Sequence, residues 1–155
     1  MKNSIGIEVE KAEKLVGKLN QLLADYQLFY QNLRGLHWNI KGRNFFELHL
    51  KFEELYNTAV IKIDEIAERI LTLEGEPLHS FSAYLKNAQI AEEVGVTDGE
   101  KGVQIVLNNF AVLIAIEREV LSDAADANDE GTASLMSDYI TETEKVIWML
   151  NSYLK

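Results

Sequence analysis

Five side chains of this 155-residue chain have the types and spacing to hold iron: His37, His49, Glu53, Asp64 and Glu68. Carboxylates neutralise and bind a hard cation, while imidazole is a borderline ligand that tolerates both ferrous and ferric states. The chain has no cysteine, so disulfides, iron–sulfur clusters and zinc-thiolate sites are excluded, and any metal must be held by imidazole and carboxylate. The formal net charge of −10 makes cations natural partners and argues against sequence-independent DNA binding through a basic surface.

The elements that must position these side chains are helices. Apolar residues recur at three- and four-residue steps from Leu15 through Leu33, predicting a long amphipathic helix over about 8–39. Gly42 suits a left-handed cap, and Asn44 with Glu47 predicts a capped start for a second helix over about 45–73, which Gly75 and Pro77 stop. Ser80 or Ser82 can cap a short helix over about 82–88 inside a long link. Asp98 caps a third long helix to about 127, and a fourth runs over about 132–154, with Val146, Ile147 and Trp148 among its apolar residues. Four long helices with a mid-chain crossover predict a single-domain, all-α four-helix bundle. No signal peptide and no apolar run long enough to cross a bilayer is present, which makes a soluble cytoplasmic protein the expectation.

On the second helix His49, Glu53, Asp64 and Glu68 follow at steps of 4, 11 and 4, so they share one face. The rise along the axis nevertheless separates Glu53 from Asp64 by ~16 Å, beyond the reach of ligands to a single ion. His37 lies across the turn from His49, so one chain offers two imidazoles at one end of this helix and two carboxylates at the other. Two copies pairing the helix antiparallel across a two-fold axis would bring each His pair to the partner's carboxylates. The ordinary alternative is a helix face whose carboxylates are solvated or paired with basic neighbours such as Lys62 and Arg69.

His37-Trp38-Asn39, Gly42, Phe46, Leu48-His49, Asp64 and Ala67-Glu68-Arg69 together resemble the motif of the Dps-type mini-ferritins, the starvation-induced DNA-protection proteins with a ferritin-like fold. The resemblance covers essentially the whole chain. It implies that His37 and His49 of one subunit and Asp64 and Glu68 of its two-fold mate are ferroxidase ligands. Glu53 stands where the family commonly has an aspartate in or beside the site. Trp38 matches a tryptophan thought to intercept oxidising equivalents, although a helix-end aromatic explains its presence as well. The activity implied is oxidation of ferrous ion, with hydrogen peroxide as the usual oxidant, and storage of ferric mineral inside a homododecameric shell.

A second acidic group, Asp123, Asp126, Asp129, Glu130 and Asp138, surrounds the junction of the last two helices. Composition alone favours a solvated loop and cap. In a shell, three copies on a three-fold axis would form a negative pore that concentrates ferrous ion, and the resemblance puts Asp129 and Asp138 first, with Asp126 and Glu130 flanking. His79 reads as an ordinary loop histidine, and its glutamate-to-histidine step contains proline, which argues against a di-iron centre within one subunit. A DNA-coating nucleoid protein is the main rival. DNA-binding members carry a long lysine-rich N-terminal tail, whereas residues 1–7 contain only Lys2, and twelve copies would carry 12 × −10 = −120 formal charges. DNA binding is therefore expected to be weak or absent. A third reading is an acidic helical bundle without catalysis.

Overall fold

The computed structural model describes residues 1–155. It has five helices and no named strand: α1 (Val9–Asn39), α2 (Phe45–Thr72), α3 (Phe81–Asn87), α4 (Gly99–Asp126) and α5 (Glu130–Leu154). The arrangement is the all-α four-helix bundle with an extra short helix that the periodicity predicts. No helix is long and apolar enough to cross a membrane.

Contacts at the helix ends fix the directions. Lys11 donates to the Asp126 carbonyl, and Lys14 and Lys18 pair with Asp123 and Glu119, so α1 runs antiparallel to α4. Leu48 at the start of α2 touches Gly99 at the start of α4, and Arg69 near the end of α2 reaches Asp129 just beyond α4. Helices α2 and α4 are therefore parallel, which requires the long crossover that carries α3. A β-carbon on Gly102 would lie 3.3 Å from Leu36 and Phe52, so this glycine lets α4 approach the α1–α2 hairpin closely. The core interlocks Leu15, Leu19, Leu22 and Leu33 of α1 with Phe52, Ile66 and Ile70 of α2, Val103, Leu113 and Val120 of α4, and Met136 of α5. Phe29 and Phe110 meet with ring centroids 4.9 Å apart.

The helix ends differ from the sequence expectation in instructive ways. Helix α1 stops at Asn39 with Ile40 extended; Gly42, at φ +110°, turns the chain two residues later. Asn44 occupies the position before α2 but makes no side-chain cap bond. Helix α2 ends at Thr72, before Gly75 and Pro77 as expected, and the left-handed residue there is Glu74, at φ 70°. Ser80 and Asp98 do cap α3 and α4. Asp129 caps α5 through the Thr132 amide, which starts that helix at Glu130, two residues before the expected Thr132. Trp148 is 64% exposed and lies outside the core.

Candidate metal centre

The end of α1 and the start of α2 face each other across residues 40–44, and the Lys41 amide anchors this turn to the Thr97 carbonyl, just before α4, at 2.8 Å. His37 is buried there and His49 half-buried. Their rings stack with centroids 3.8 Å apart and planes 9° from parallel. Phe45 covers the other face of His49 at 4.8 Å, and Tyr56 meets His37 edge-on at 5.4 Å. The pair is held by a reciprocal exchange: His37 Nδ1 bonds the His49 carbonyl at 2.6 Å, and His49 Nδ1 bonds the His37 carbonyl at 2.7 Å.

That exchange fixes the chemistry of both rings. A carbonyl oxygen only accepts, so each Nδ1 must carry the proton, and in the neutral ring the lone pair then sits on Nε2. Orientation of an imidazole through its second nitrogen is the usual support of a metal-ligating histidine. Nε2 of His37 lies 3.6 Å from Glu53 Oε1, so Glu53 belongs to the imidazole end of the helix. The two imidazoles and Glu53 thus gather at one end of α2.

Asp64 and Glu68 lie farther along the same helix and are exposed. The Asp64 carboxylate holds the Glu68 carboxyl above its ordinary range, first by a hydrogen bond between the two groups and then by like charge, with Glu65 adding to it. The basic neighbours do not relieve this pair. Lys62 turns inward and pairs with Glu142 at 3.4 Å, and Arg69 pairs with Asp129 at 2.7 Å. No ion pair of the chain includes Asp64 or Glu68, so of the ordinary alternatives pairing with Lys62 and Arg69 is not what these exposed carboxylates do. Within one chain no group of three His, Cys, Asp or Glu side chains converges closely enough to hold a metal ion, in keeping with the eleven-residue gap between Glu53 and Asp64.

Trp38 is 54% exposed, with the Arg34 guanidinium 4.8 Å over its ring; it is not a core aromatic. At the α4–α5 junction Asp126, Glu130 and Asp138 are exposed. Asp129, expected to line a pore, is only 2% exposed. Its carboxylate accepts from the Thr132 amide at 3.0 Å and from Arg69, while Arg69 Nε also donates to the Thr132 hydroxyl at 2.8 Å. These bonds occupy Asp129 with capping and ion pairing. Asp123 is partly covered and paired with Lys14. His79 is an exposed loop residue whose Nδ1 faces the Pro77 carbonyl.

The family described as a ferritin-like domain matches residues 16–155. The DNA protection during starvation protein of Porphyromonas gingivalis is 41% identical over 148 residues, covering 96% of this chain and 93% of that protein. Among solved structures, the Vibrio cholerae O1 Dps protein, described as a member of a broad superfamily of ferritin-like diiron-carboxylate proteins, superposes with TM-score 0.98 at 53% identity, covering 99% of this chain and 97% of that one. The Dps protein of Bacillus brevis superposes with TM-score 0.91 at 35% identity over 100% of both chains.

Proposed function

Because the chain belongs to the ferritin-like family, among the DNA-protection-during-starvation proteins, we propose that it stores and detoxifies iron, oxidising ferrous ion at sites shared between two subunits. Ferrous ion is the substrate. His37 and His49, with Glu53 beside them, come from one subunit, and Asp64 and Glu68 from its two-fold mate. The observation that carries this reading is the division of donors along α2: two Nε2 lone pairs at one end, and at the other the neighbouring Asp64 and Glu68 carboxylates, which enter no ion pair and of which Asp64 raises the Glu68 carboxyl. Each half lacks what the other supplies.

The outer face of α2 favours pairing along this helix. Phe46, Leu50, Ile61 and Leu71 are exposed, and at ~100° per residue they fall on the arc that carries Asp64 and Glu68. A soluble surface gains by covering such an apolar stripe. With hydrogen peroxide as oxidant, two ferrous ions each give one electron, and two protons convert the peroxide to two waters. Consuming both reactants together suppresses hydroxyl-radical formation. Twelve subunits would enclose the ferric product, Asp126, Glu130 and Asp138 remain the exposed candidates for a ferrous-ion pore, and Trp38 would intercept stray oxidising equivalents. A cytoplasmic location goes with this role.

The N-terminal residues weigh against DNA coating. The Asn3 side chain accepts from the Ile5 and Ile7 amides, and the Ser4 amide and hydroxyl bond Glu74. These residues fold back onto the bundle and do not form a free basic arm.

Subunit complementation tests the shared site. A His37→Ala/His49→Ala chain and an Asp64→Ala/Glu68→Ala chain are each expected to be inactive in peroxide-driven ferrous oxidation. Co-assembled in equal amounts, half the dimers are mixed and each mixed dimer rebuilds one of its two sites, restoring about a quarter of the wild-type rate. A mixture as inactive as its components would refute the intersubunit assignment.

A further inference from the structure

Four side chains of α1 and α2 form an unbroken line from the imidazole pair to the surface. Tyr56 of α2 meets the His37 ring edge-on at 5.4 Å, and Tyr30 of α1 meets Tyr56 edge-on at 5.9 Å, with planes 78° and 80° apart. The Arg34 guanidinium stands 5.3 Å over the Tyr30 ring and 4.8 Å over that of Trp38. Tyr30, Arg34 and Trp38 follow at four-residue steps and so share one face of α1. Edge-on aromatic packing by itself is ordinary stabilisation. The place of this line sets it apart, because it begins on a ring proposed as an iron ligand and ends on a half-exposed indole.

Burial distinguishes these phenols from Tyr26 and Tyr139. Those two are 1% and 3% exposed, and their hydroxyls are held by Glu117 at 3.2 Å and Glu65 at 2.9 Å. Tyr30 and Tyr56 are half-buried, so a proton leaving either phenol has a path to water. Electron exchange between side chains falls off steeply with separation, and rings in edge contact exchange electrons readily. Charge then decides where an oxidising equivalent rests. The Arg34 cation disfavours a ring that has become positive. A phenol that loses an electron sheds its proton at once and becomes neutral, whereas the oxidised indole is a far weaker acid. The equivalent therefore rests on a tyrosine, with Trp38 behind it.

We infer that Tyr56 and Tyr30 are a one-electron reservoir for the iron site, letting a site that holds a single ferrous ion finish the reduction of peroxide. The inference rests on the interfacial site proposed above. A lone ferrous ion gives one electron to hydrogen peroxide, leaving ferric ion, hydroxide and a hydroxyl radical. The phenol gives the second electron: the hydroxyl radical becomes hydroxide, the phenolic proton goes to water, and a neutral tyrosyl radical remains. The next ferrous ion reduces the tyrosyl radical, which takes back a proton. In sum, two ferrous ions, one peroxide and two protons give two ferric ions and two waters, the balance of a fully loaded site.

The test uses the assembled full-length protein given one ferrous ion per site, then one equivalent of hydrogen peroxide, and freeze-quenched for electron paramagnetic resonance. A tyrosyl signal should appear, narrow when ring-deuterated tyrosine is incorporated, and decay when more ferrous ion is added. Tyr30→Phe/Tyr56→Phe keeps both rings and removes both hydroxyls. Ferric ion should still form in this variant, because the first electron comes from iron, while the tyrosyl signal vanishes and spin-trapped hydroxyl radical rises several-fold. A tyrosyl signal that survives the double substitution would overturn the inference and leave the metal site standing. So would a signal on Trp38 alone, or ferric ion forming in the wild-type protein with no protein radical. Loss of ferric product in the variant would make the hydroxyls part of iron binding and overturn it as well. No ferrous oxidation in the wild-type protein would refute the interfacial site, and the reservoir with it.

Discussion

Replacing Glu117 by Gln isolates the largest electrostatic liability in the bundle. Burial raises this carboxyl from 4.5 to about 7, and one pKa unit is ~1.36 kcal/mol, so ionised Glu117 costs about 3 kcal/mol per chain relative to the unfolded state. Between pH 4.5 and 7 the folded chain holds the extra proton, so stability rises as pH falls through that window; above 7 both states are ionised and the whole cost is present. Glutamine keeps the shape, and its amide oxygen still accepts from Tyr26, but it does not titrate. Glu117→Gln should therefore raise the melting temperature at pH 8.5 by roughly 6–12 °C for a domain of this size, with the gain shrinking to near zero at pH 4.5. Thermal melts of both proteins across this range, at one fixed protein concentration because assembly contributes to stability, measure it. A difference that stays constant with pH, or a glutamine variant that is less stable at pH 8.5, would refute the reasoning.

Two further outcomes follow from the charges. Arg69→Ala removes the partner of an almost fully buried Asp129 and should cost about 3 kcal/mol in denaturant unfolding; a loss below ~1 kcal/mol would mean that the Thr132 bonds alone satisfy that carboxylate. Gel retardation with plasmid DNA at physiological salt, without divalent metal, should show no shift, because a chain of charge −10 repels the phosphate backbone and its residues 1–7 carry only Lys2; a retarded band would overturn this.

The long helices were legible because their apolar residues keep a helical period over many turns, and the two capping residues with free short side chains, Ser80 and Asp98, announced themselves. Partners far away in sequence were not legible. Composition assigns Asp129 to a solvated loop and cap, and it does cap α5, but its burial against Arg69, sixty residues away, follows only from the parallel packing of α2 and α4. The same blindness affected Lys62, whose helical position is compatible with pairing to surface carboxylates but whose long stem carries the ammonium inward. At the candidate centre the residue types and the eleven-residue gap were readable, whereas the mutual bonds between each imidazole and the other's backbone carbonyl were not. Main-chain partners leave no trace in a side-chain pattern.

The two faces of α2 explain each other. The helix carries Lys62 and Arg69 close to Asp64 and Glu68 in sequence, and had those cations stayed outside they would have neutralised the carboxylates and left no affinity for metal. Arg69 is drawn to Asp129, a buried acid whose need for a counter-ion is greater than that of an exposed one, while the inward-turned Lys62 pairs with Glu142. What remains outside is a pair of neighbouring carboxylates, Asp64 and Glu68, that enter no ion pair and of which Asp64 raises the Glu68 carboxyl. Neutral imidazoles from a second subunit supply ligands to such a pair without supplying charge, so the neutralising charge has to arrive with the metal ion itself. On this argument the internal ion pairs of the bundle and the metal affinity of its surface are one arrangement of the same limited set of basic side chains.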